Sequence, residues 1–92
     1  MGTAIATLKI MPESPDIDLK HIEDEALKLI TTFSDERPKK VDVQPVAFGL
    51  KSVSITFLMD EKLGGTDTLE AQISGIEGVQ SVELSDIRRI IG

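Results

Sequence analysis

The sequence contains no cysteine, tryptophan or tyrosine, and its only aromatic residues are three phenylalanines. Without cysteine, the chain cannot form disulfide bonds, thiolate metal sites or a cysteine nucleophile. No stretch approaches the roughly 18 consecutive apolar residues that a membrane-spanning helix needs. The first residues also lack the basic and apolar segments of a secretory signal, so we expect a cytoplasmic protein.

Positive charge is scarce as well. Ten Lys and Arg residues against sixteen Asp and Glu residues give a net charge of −6. Phosphate binding draws on clustered Lys and Arg, so this balance argues against a nucleic-acid surface and favours proteins or small ligands as partners. With 92 residues, 40% of them hydrophobic and 28% charged, the chain has the composition of one globular domain over residues 1–92.

The first part of the chain predicts a strand followed by a helix. Residues Thr3–Met11 alternate between apolar and polar side chains, which indicates a half-buried strand. After a proline-rich break, Asp16 or Asp18 can cap a helix that ends near Phe33. Apolar residues recur three and four apart along this helix: Leu19, Ile22, Ala26, Leu29, Ile30 and Phe33.

The next apolar segment predicts a second strand that contains an irregularity. Within Lys39–Phe48 the apolar side chains change face at Pro45, so that Val43 lies on one side and Val46 and Phe48 on the other. A proline is tolerated in a sheet only at an edge or a bulge, which makes this an edge strand.

Gly49 predicts a tight turn into the clearest strand of the chain. A second helix begins near Asp67 and ends at Gly78, and the final strand, Val79–Ile90, loses its alternation at Asp86, which predicts a bend or bulge. In the strand after Gly49, apolar residues that face inward alternate with polar residues that face outward. The inward residues are Val53, Ile55, Phe57 and Met59, and the outward residues are Ser52, Ser54 and Thr56.

The predicted order of elements is β-α-β-β-α-β. Two right-handed crossovers of this kind form an α+β ferredoxin-like plait, a four-stranded antiparallel sheet with both helices on one face. Such a sheet can bind RNA when its exposed face carries aromatic residues, but the outward residues here are Thr, Ser and Lys. We therefore expect no direct contact with nucleic acid.

No arrangement of residues indicates an enzyme. His21 is the only histidine and has no metal-ligand neighbours at a defined spacing, so a solvated helix residue is the simpler interpretation. The Asp60–Glu61 pair is better explained as a charged loop than as a metal site or an acid–base pair. Gly64–Gly65 resembles a phosphate-binding loop, but no Gly-Lys-Ser/Thr follows and acidic residues surround it. From the residues alone, we expect a non-catalytic, protein-binding plait.

Four segments in the second half of the sequence occur in the order found in one known family. The chain resembles the guanine-nucleotide-exchange domain of translation elongation factor 1-beta, in its archaeal form. The segments that carry this resemblance are Val46-Ala47-Phe48-Gly49-Leu50-Lys51, Asp60-Glu61-Lys62-Leu63-Gly64, Thr66-Asp67-Thr68-Leu69-Glu70 and Val79-Gln80-Ser81-Val82-Glu83.

The resemblance implies a function and the residues that carry it. Family members bind the GTPase elongation factor 1-alpha and promote exchange of GDP for GTP, without a cofactor of their own. The family's aromatic contact with the GTPase falls on Phe48, for which a place in the core of the edge strand is the alternative. The family's terminal lysine, which enters the magnesium site of the GTPase, falls on Arg89, and Arg88 lies beside it.

We expect a free monomer; a regulatory plait that binds a small ligand at a dimer interface is the alternative function.

Overall fold

The computed structural model describes residues 2–34, 39–63 and 65–90. The four strands form one sheet in the order β2-β3-β1-β4, and each neighbouring pair is antiparallel. The predicted ferredoxin-like plait is therefore confirmed. In chain order the elements are β1 (Thr3–Pro12), α1 (Leu19–Phe33), β2 (Lys40–Pro45), β3 (Lys51–Asp60), α2 (Asp67–Ser74) and β4 (Val79–Ile90).

The core lies between the sheet and the two helices. In the central strand β1, every even-numbered residue is buried and every odd-numbered residue is partly exposed. Burying a large aliphatic or aromatic side chain contributes about 1.5–3 kcal/mol. The face of the sheet that the helices cover therefore supplies most of the favourable free energy of folding. The buried apolar residues come from the sheet and from both helices: Ala4, Ala6, Leu8, Ile10, Ile22, Ala26, Ile30, Val53, Ile55, Phe57, Met59, Leu69, Ile73 and Val79.

Local hydrogen bonds define the two ends of α1. Asp18, one of the two predicted caps, begins the helix, and its Oδ1 accepts a hydrogen bond from the Lys20 amide at 3.0 Å. The helix ends at Phe33 as predicted, and the Ser34 amide donates to the carbonyl of Ile30 at 2.8 Å. Neither α1 nor any other helix within the described residues is long and apolar enough to cross a membrane.

The second helix begins at Asp67, as predicted, but ends earlier than predicted. The cap is Thr66, one residue before Asp67, and its hydroxyl donates to the Glu70 carboxylate at 2.6 Å. The helix ends at Ser74, four residues before Gly78. Gly78 instead lies in the connection to β4 with a φ of +95°, a left-handed conformation that glycine adopts at little cost. The predicted end of the helix was wrong because this glycine serves a separate turn.

Strand β3 follows the predicted alternation with one exception. Its four inward residues are buried, but Ser52, which we expected to face solvent, is buried as well. The Ser52 hydroxyl lies 3.5 Å from the Gln44 carbonyl on β2 and donates a hydrogen bond to it. A buried hydroxyl is tolerated when it has such a partner, so the side chain need not remain solvated.

We predict that Gly78→Ala lowers the free energy of unfolding by about 2 kcal/mol, because it adds both backbone strain and overpacking. The new Cβ would lie 2.8 Å from Ile17 Cγ2, and the φ of +95° disfavours any residue with a side chain. Urea unfolding measures the change. Gly75→Ala is the matched control, because its Cβ would meet no atom closer than 3.4 Å. Equal stability of the two variants would show that this turn is not constrained in the way described.

Candidate partner-binding site

The first site candidate, Phe48, lies in a tight turn between β2 and β3. A short 3-10 segment, Ala47–Gly49, replaces the end of the strand that we predicted through Phe48. The Leu50 amide donates to the carbonyl of Ala47 at 3.2 Å, and the φ angles of Phe48 and Gly49 are +61° and +78°. Two successive positive φ angles are the geometry of a type I′ turn, which matches the twist of a β-hairpin. The predicted strand is therefore wrong beyond Pro45, where the chain leaves the ladder.

The turn places the Phe48 side chain in solvent. This side chain is 94% exposed, so the alternative of a place in the edge-strand core is wrong. A left-handed conformation costs a residue with a side chain about 1 kcal/mol, and no burial of this phenylalanine offsets that cost within the described structure. Strained backbone and exposed aromatic surface in one residue are typical of a binding site.

A shallow hollow adjoins this turn on the side of the β1–α1 connection. Its volume is about 270 Å³. At Gly49, a Cβ added to the backbone would lie 3.9 Å from Pro15 Cγ, so the connection lies close to the turn. The lining residues are Pro12, Ser14, Pro15, Leu19, Gly49 and Lys51.

The other two site candidates, Arg88 and Arg89, lie near the end of β4. The β1–β4 register pairs Thr7 with Asp86 but Leu8 with Leu84, so Ser85 is the extra residue of a bulge. The predicted irregularity before the arginines is thereby confirmed. Arg88 and Arg89 are consecutive in β4, so their side chains lie on opposite faces of the sheet. The bulge inverts the facing of every residue beyond it, and it thereby decides that Arg89 takes the helical face.

Each arginine has an acidic partner. Arg88 pairs with Ile5 of β1 on the open face, and its Nε donates to Asp86 at 3.0 Å. Arg89 lies opposite Ala4 on the helical face, and its Nε donates to Glu61 at 2.5 Å. Next to this second pair is a hollow of about 370 Å³ with a largely apolar floor. It is lined by Ala4, Met59, Glu61, Ile87 and Arg89.

The structure does not bring Phe48 together with the arginines. Arg89 is level with Ala4 at the start of β1, whereas the turn of Phe48 extends beyond the pairing of Ile10 with Val53. The six residue steps from Ala4 to Ile10 alone span about 20 Å, and the molecule measures 42 Å along its longest axis. The predicted topology already implied this separation between Phe48 and the arginines, because in a plait the β2–β3 turn and the end of β4 lie at opposite ends of the sheet.

The other residues considered for chemistry have structural explanations. His21 is exposed on α1, and no group of three potential metal ligands occurs within residues 2–34, 39–63 and 65–90. Nearby, the carboxylates of Asp24 and then Glu23 raise the pKa of Lys20, as expected for a surface ion-pair cluster. Such exposed pairs contribute little to stability and do not indicate a site.

The loop after β3 shows no phosphate-binding geometry in its described part. Asp60 accepts a hydrogen bond from the Lys62 amide at 2.9 Å, and Glu61 binds Arg89. The first turn of α2 carries the carboxylates of Asp67 and Glu70, which disfavour an anion there. Gly64 lies outside the described residues.

Comparison with known proteins agrees with this geometry. Residues 5–90 match the model of the EF-1 guanine nucleotide exchange domain. The chain is 40% identical over 91 residues to an elongation factor 1-beta of Methanothermobacter thermautotrophicus, covering 99% of this chain and 100% of that protein. It is 37% identical over 90 residues to an elongation factor 1-beta of Natronomonas pharaonis, covering 98% and 100% of the two chains. These archaeal relatives confirm the expected resemblance. The chain belongs to the EF-1 guanine nucleotide exchange domain family.

Proposed function

We propose that this protein is a guanine nucleotide exchange factor that binds the GTPase elongation factor 1-alpha and promotes replacement of GDP by GTP during translation elongation. The observation that carries the proposal is the family match over residues 5–90. Relatives named elongation factor 1-beta, aligned over their whole length, support the same role. In this role the protein acts as a binding partner and not as an enzyme, carries no cofactor, and works in the cytoplasm as a monomer when free.

Phe48 is the proposed apolar anchor on the GTPase. A buried aromatic side chain removes about 150–250 Å² from water, and large aromatic residues commonly dominate interface energies. Since Phe48 is already exposed in a turn with a defined backbone, little ordering is needed before it enters a partner's pocket. This pre-organisation explains why the sequence retains a strained phenylalanine at the tip.

The arginines at the other end are the proposed contact near the nucleotide. Magnesium holds nucleotide phosphates through oxygen ligands in a strict geometry. A guanidinium placed among those ligands competes for their negative charge and weakens the hold on GDP. Arg89 has the geometry for this role because it projects from the end of β4 and is 74% exposed.

The separation of the two contacts constrains the complex. Phe48 and Arg89 lie more than about 20 Å apart, so they cannot enter one pocket of the partner together. We infer that one end of the sheet anchors the factor while the other disturbs the nucleotide site. A thousandfold faster GDP release needs about 4 kcal/mol, which differential contacts across a large interface can supply. By linkage, nucleotide binding must weaken factor binding equally, and the factor is released for another cycle.

The direct test is release of fluorescent GDP from elongation factor 1-alpha in the presence of excess unlabelled GTP. We expect the full chain to accelerate release at substoichiometric concentrations. Unchanged release at saturating protein would contradict the proposed function. Light scattering of the free protein, if it gave a dimer whose melting temperature rises with metabolites, would instead favour the regulatory plait.

We predict opposite effects on stability and exchange for Phe48→Gly. Glycine tolerates the φ of +61°, so the free energy of unfolding should rise by up to about 1 kcal/mol. Loss of the aromatic anchor should lower the exchange rate at limiting factor concentration by at least about tenfold, the scale of an interface hot spot. Urea unfolding and the GDP assay measure the two effects. Phe48→Ala should lose exchange without the gain in stability, and Val43→Ala, at another exposed apolar residue, should keep exchange.

We predict that Arg89→Ala slows GDP release by about tenfold even at saturating factor, which corresponds to a barrier change of about 1.4 kcal/mol. Arg89→Lys should retain part of the activity, since it keeps a cation at the end of β4 but not the planar guanidinium. Arg88→Ala should mainly weaken binding, because Arg88 lies on the open face beside Asp86. If Arg89→Ala folded normally and exchanged at the full rate, the assignment of this residue would be wrong.

A further inference from the structure

The ion pair between Arg89 and Glu61 crosses the central strand. Arg89 lies on β4, and Glu61 follows the last residue of β3. Since β1 lies between these strands, the two side chains bridge two inter-strand spacings, about 9.5 Å in all. The Arg88–Asp86 pair, in contrast, joins two residues that lie two positions apart on the same strand. Only the first pair depends on the arrangement of three strands.

The bridge is possible because the residues beneath it are small. Ala4 lies opposite Arg89, and the Glu61 amide donates to the carbonyl of Gly2 at 3.0 Å, which continues the β1–β3 ladder by one residue. A Cβ added to Gly2 would lie 2.6 Å from Glu61 Cδ and would overlap Oε1. Any side chain at this position would therefore push the carboxylate out of its place. The requirement at Gly2 is for space and not for an unusual φ.

The carboxylate is the fixed member of the pair. The Glu61 side chain is 30% exposed and rests against Gly2, whereas the Arg89 side chain is 74% exposed. The turn that carries Glu61 is itself held by the hydrogen bond from the Lys62 amide to Asp60. The position of Glu61 therefore determines where the guanidinium lies.

The contact leaves most of the guanidinium available. Its Nε donates to Glu61, and within the part of the chain that the structure describes this is the hydrogen bond that Arg89 makes. The two Nη groups carry four further N–H donors in a planar fork, which suits bidentate binding of a carboxylate or phosphate. A guanidinium held through Nε presents this fork in a limited range of directions.

From this geometry we propose that Glu61 is a positioning residue for exchange: it holds Arg89 across Gly2 so that the Nη groups meet an oxygen anion of the GTPase nucleotide site. The inference rests on the proposed function and adds a residue and a spatial requirement to it. Glu61 does not itself contact the partner. The ion pair partly neutralises the Arg89 charge. In return, the Arg89 side chain loses less conformational entropy when the complex forms.

A spectroscopic measurement on the free protein tests the ion pair without the GTPase. In nitrogen-15 spectra, the Arg89 Nε–H should exchange slowly with water in the original chain and fast in Glu61→Ala. Gly2→Ala should also give fast exchange, although both charged residues are still present. Glu61→Gln should keep part of the protection, because its amide oxygen can accept the same hydrogen bond. An Nε–H equally fast in the original chain and in Glu61→Ala would overturn the proposed positioning.

The GDP-release assay at saturating factor tests the consequence. We expect Glu61→Ala and Gly2→Ala to slow release by about threefold, within the range of a modest ion-pair contribution, and Glu61→Gln to restore most of the rate. In an Arg89→Ala background, the change at Glu61 should have no further effect, because its role passes through Arg89. Glu77→Ala, which removes an acidic residue outside the site, is the control for net charge and should leave the rate unchanged.

The outcomes separate this inference from the proposed function. If the original chain accelerates GDP release but Glu61→Ala does so equally well, the positioning role is wrong and the exchange function stands. An equal slowing by Glu61→Ala with and without Arg89 would mean that Glu61 contacts the GTPase directly, which also overturns the proposal. If the original chain does not accelerate release at all, the proposed function fails and the inference fails with it.

Discussion

The structure depends on the pairing of β1 with two antiparallel neighbours. Because side chains alternate along a strand, this pairing places the even-numbered residues of β1 on the helical face from one end of the strand to the other. The helices then bury that face, and the regular register of β3 against β1 follows from the same alternation, whereas the register of β4 shifts at the Ser85 bulge. A shift of one residue would expose the apolar side chains, so the register is strongly determined. The Phe48 turn and the Arg89 end of β4 both take their positions from this pairing.

Small residues at the start of β1 give this strand a second role. Large residues such as Leu8 and Ile10 fill the core near the end of β1, whereas Gly2 and Ala4 leave open space at its beginning. That space admits the side chains of Glu61 and Arg89, which meet above it. Packing and charge therefore occupy different ends of one face.

At the Phe48 turn, the residue that we propose as the partner anchor lowers the stability of the free protein. A glycine there would relieve the backbone, and the neighbouring Gly49 already has a positive φ. In the complex that we propose, burial of the exposed ring offsets this local cost. The remaining core is large enough to tolerate about 1 kcal/mol of local strain.

The sequence by itself determined the fold, the approximate bounds of the four strands and the family to which the chain belongs. Alternation in Thr3–Met11 and in the strand after Gly49 reports burial directly, since side-chain facing has a fixed period of two residues. The motif around Phe48 and the arginine pair also supplied the site candidates, and all three side chains are exposed.

Only the tertiary structure decided what surrounds those residues. The apolar pattern favoured a strand through Phe48. The chain instead leaves the β2–β3 ladder at Pro45, and the Phe48 side chain extends into solvent. Likewise, Glu61 and Arg89 are far apart in the chain and meet because β3 and β4 flank β1. Periodicity describes which face a side chain takes within one element. It contains no information on which residues of other elements share that face, because contact across strands is set by register and by the space that small residues leave.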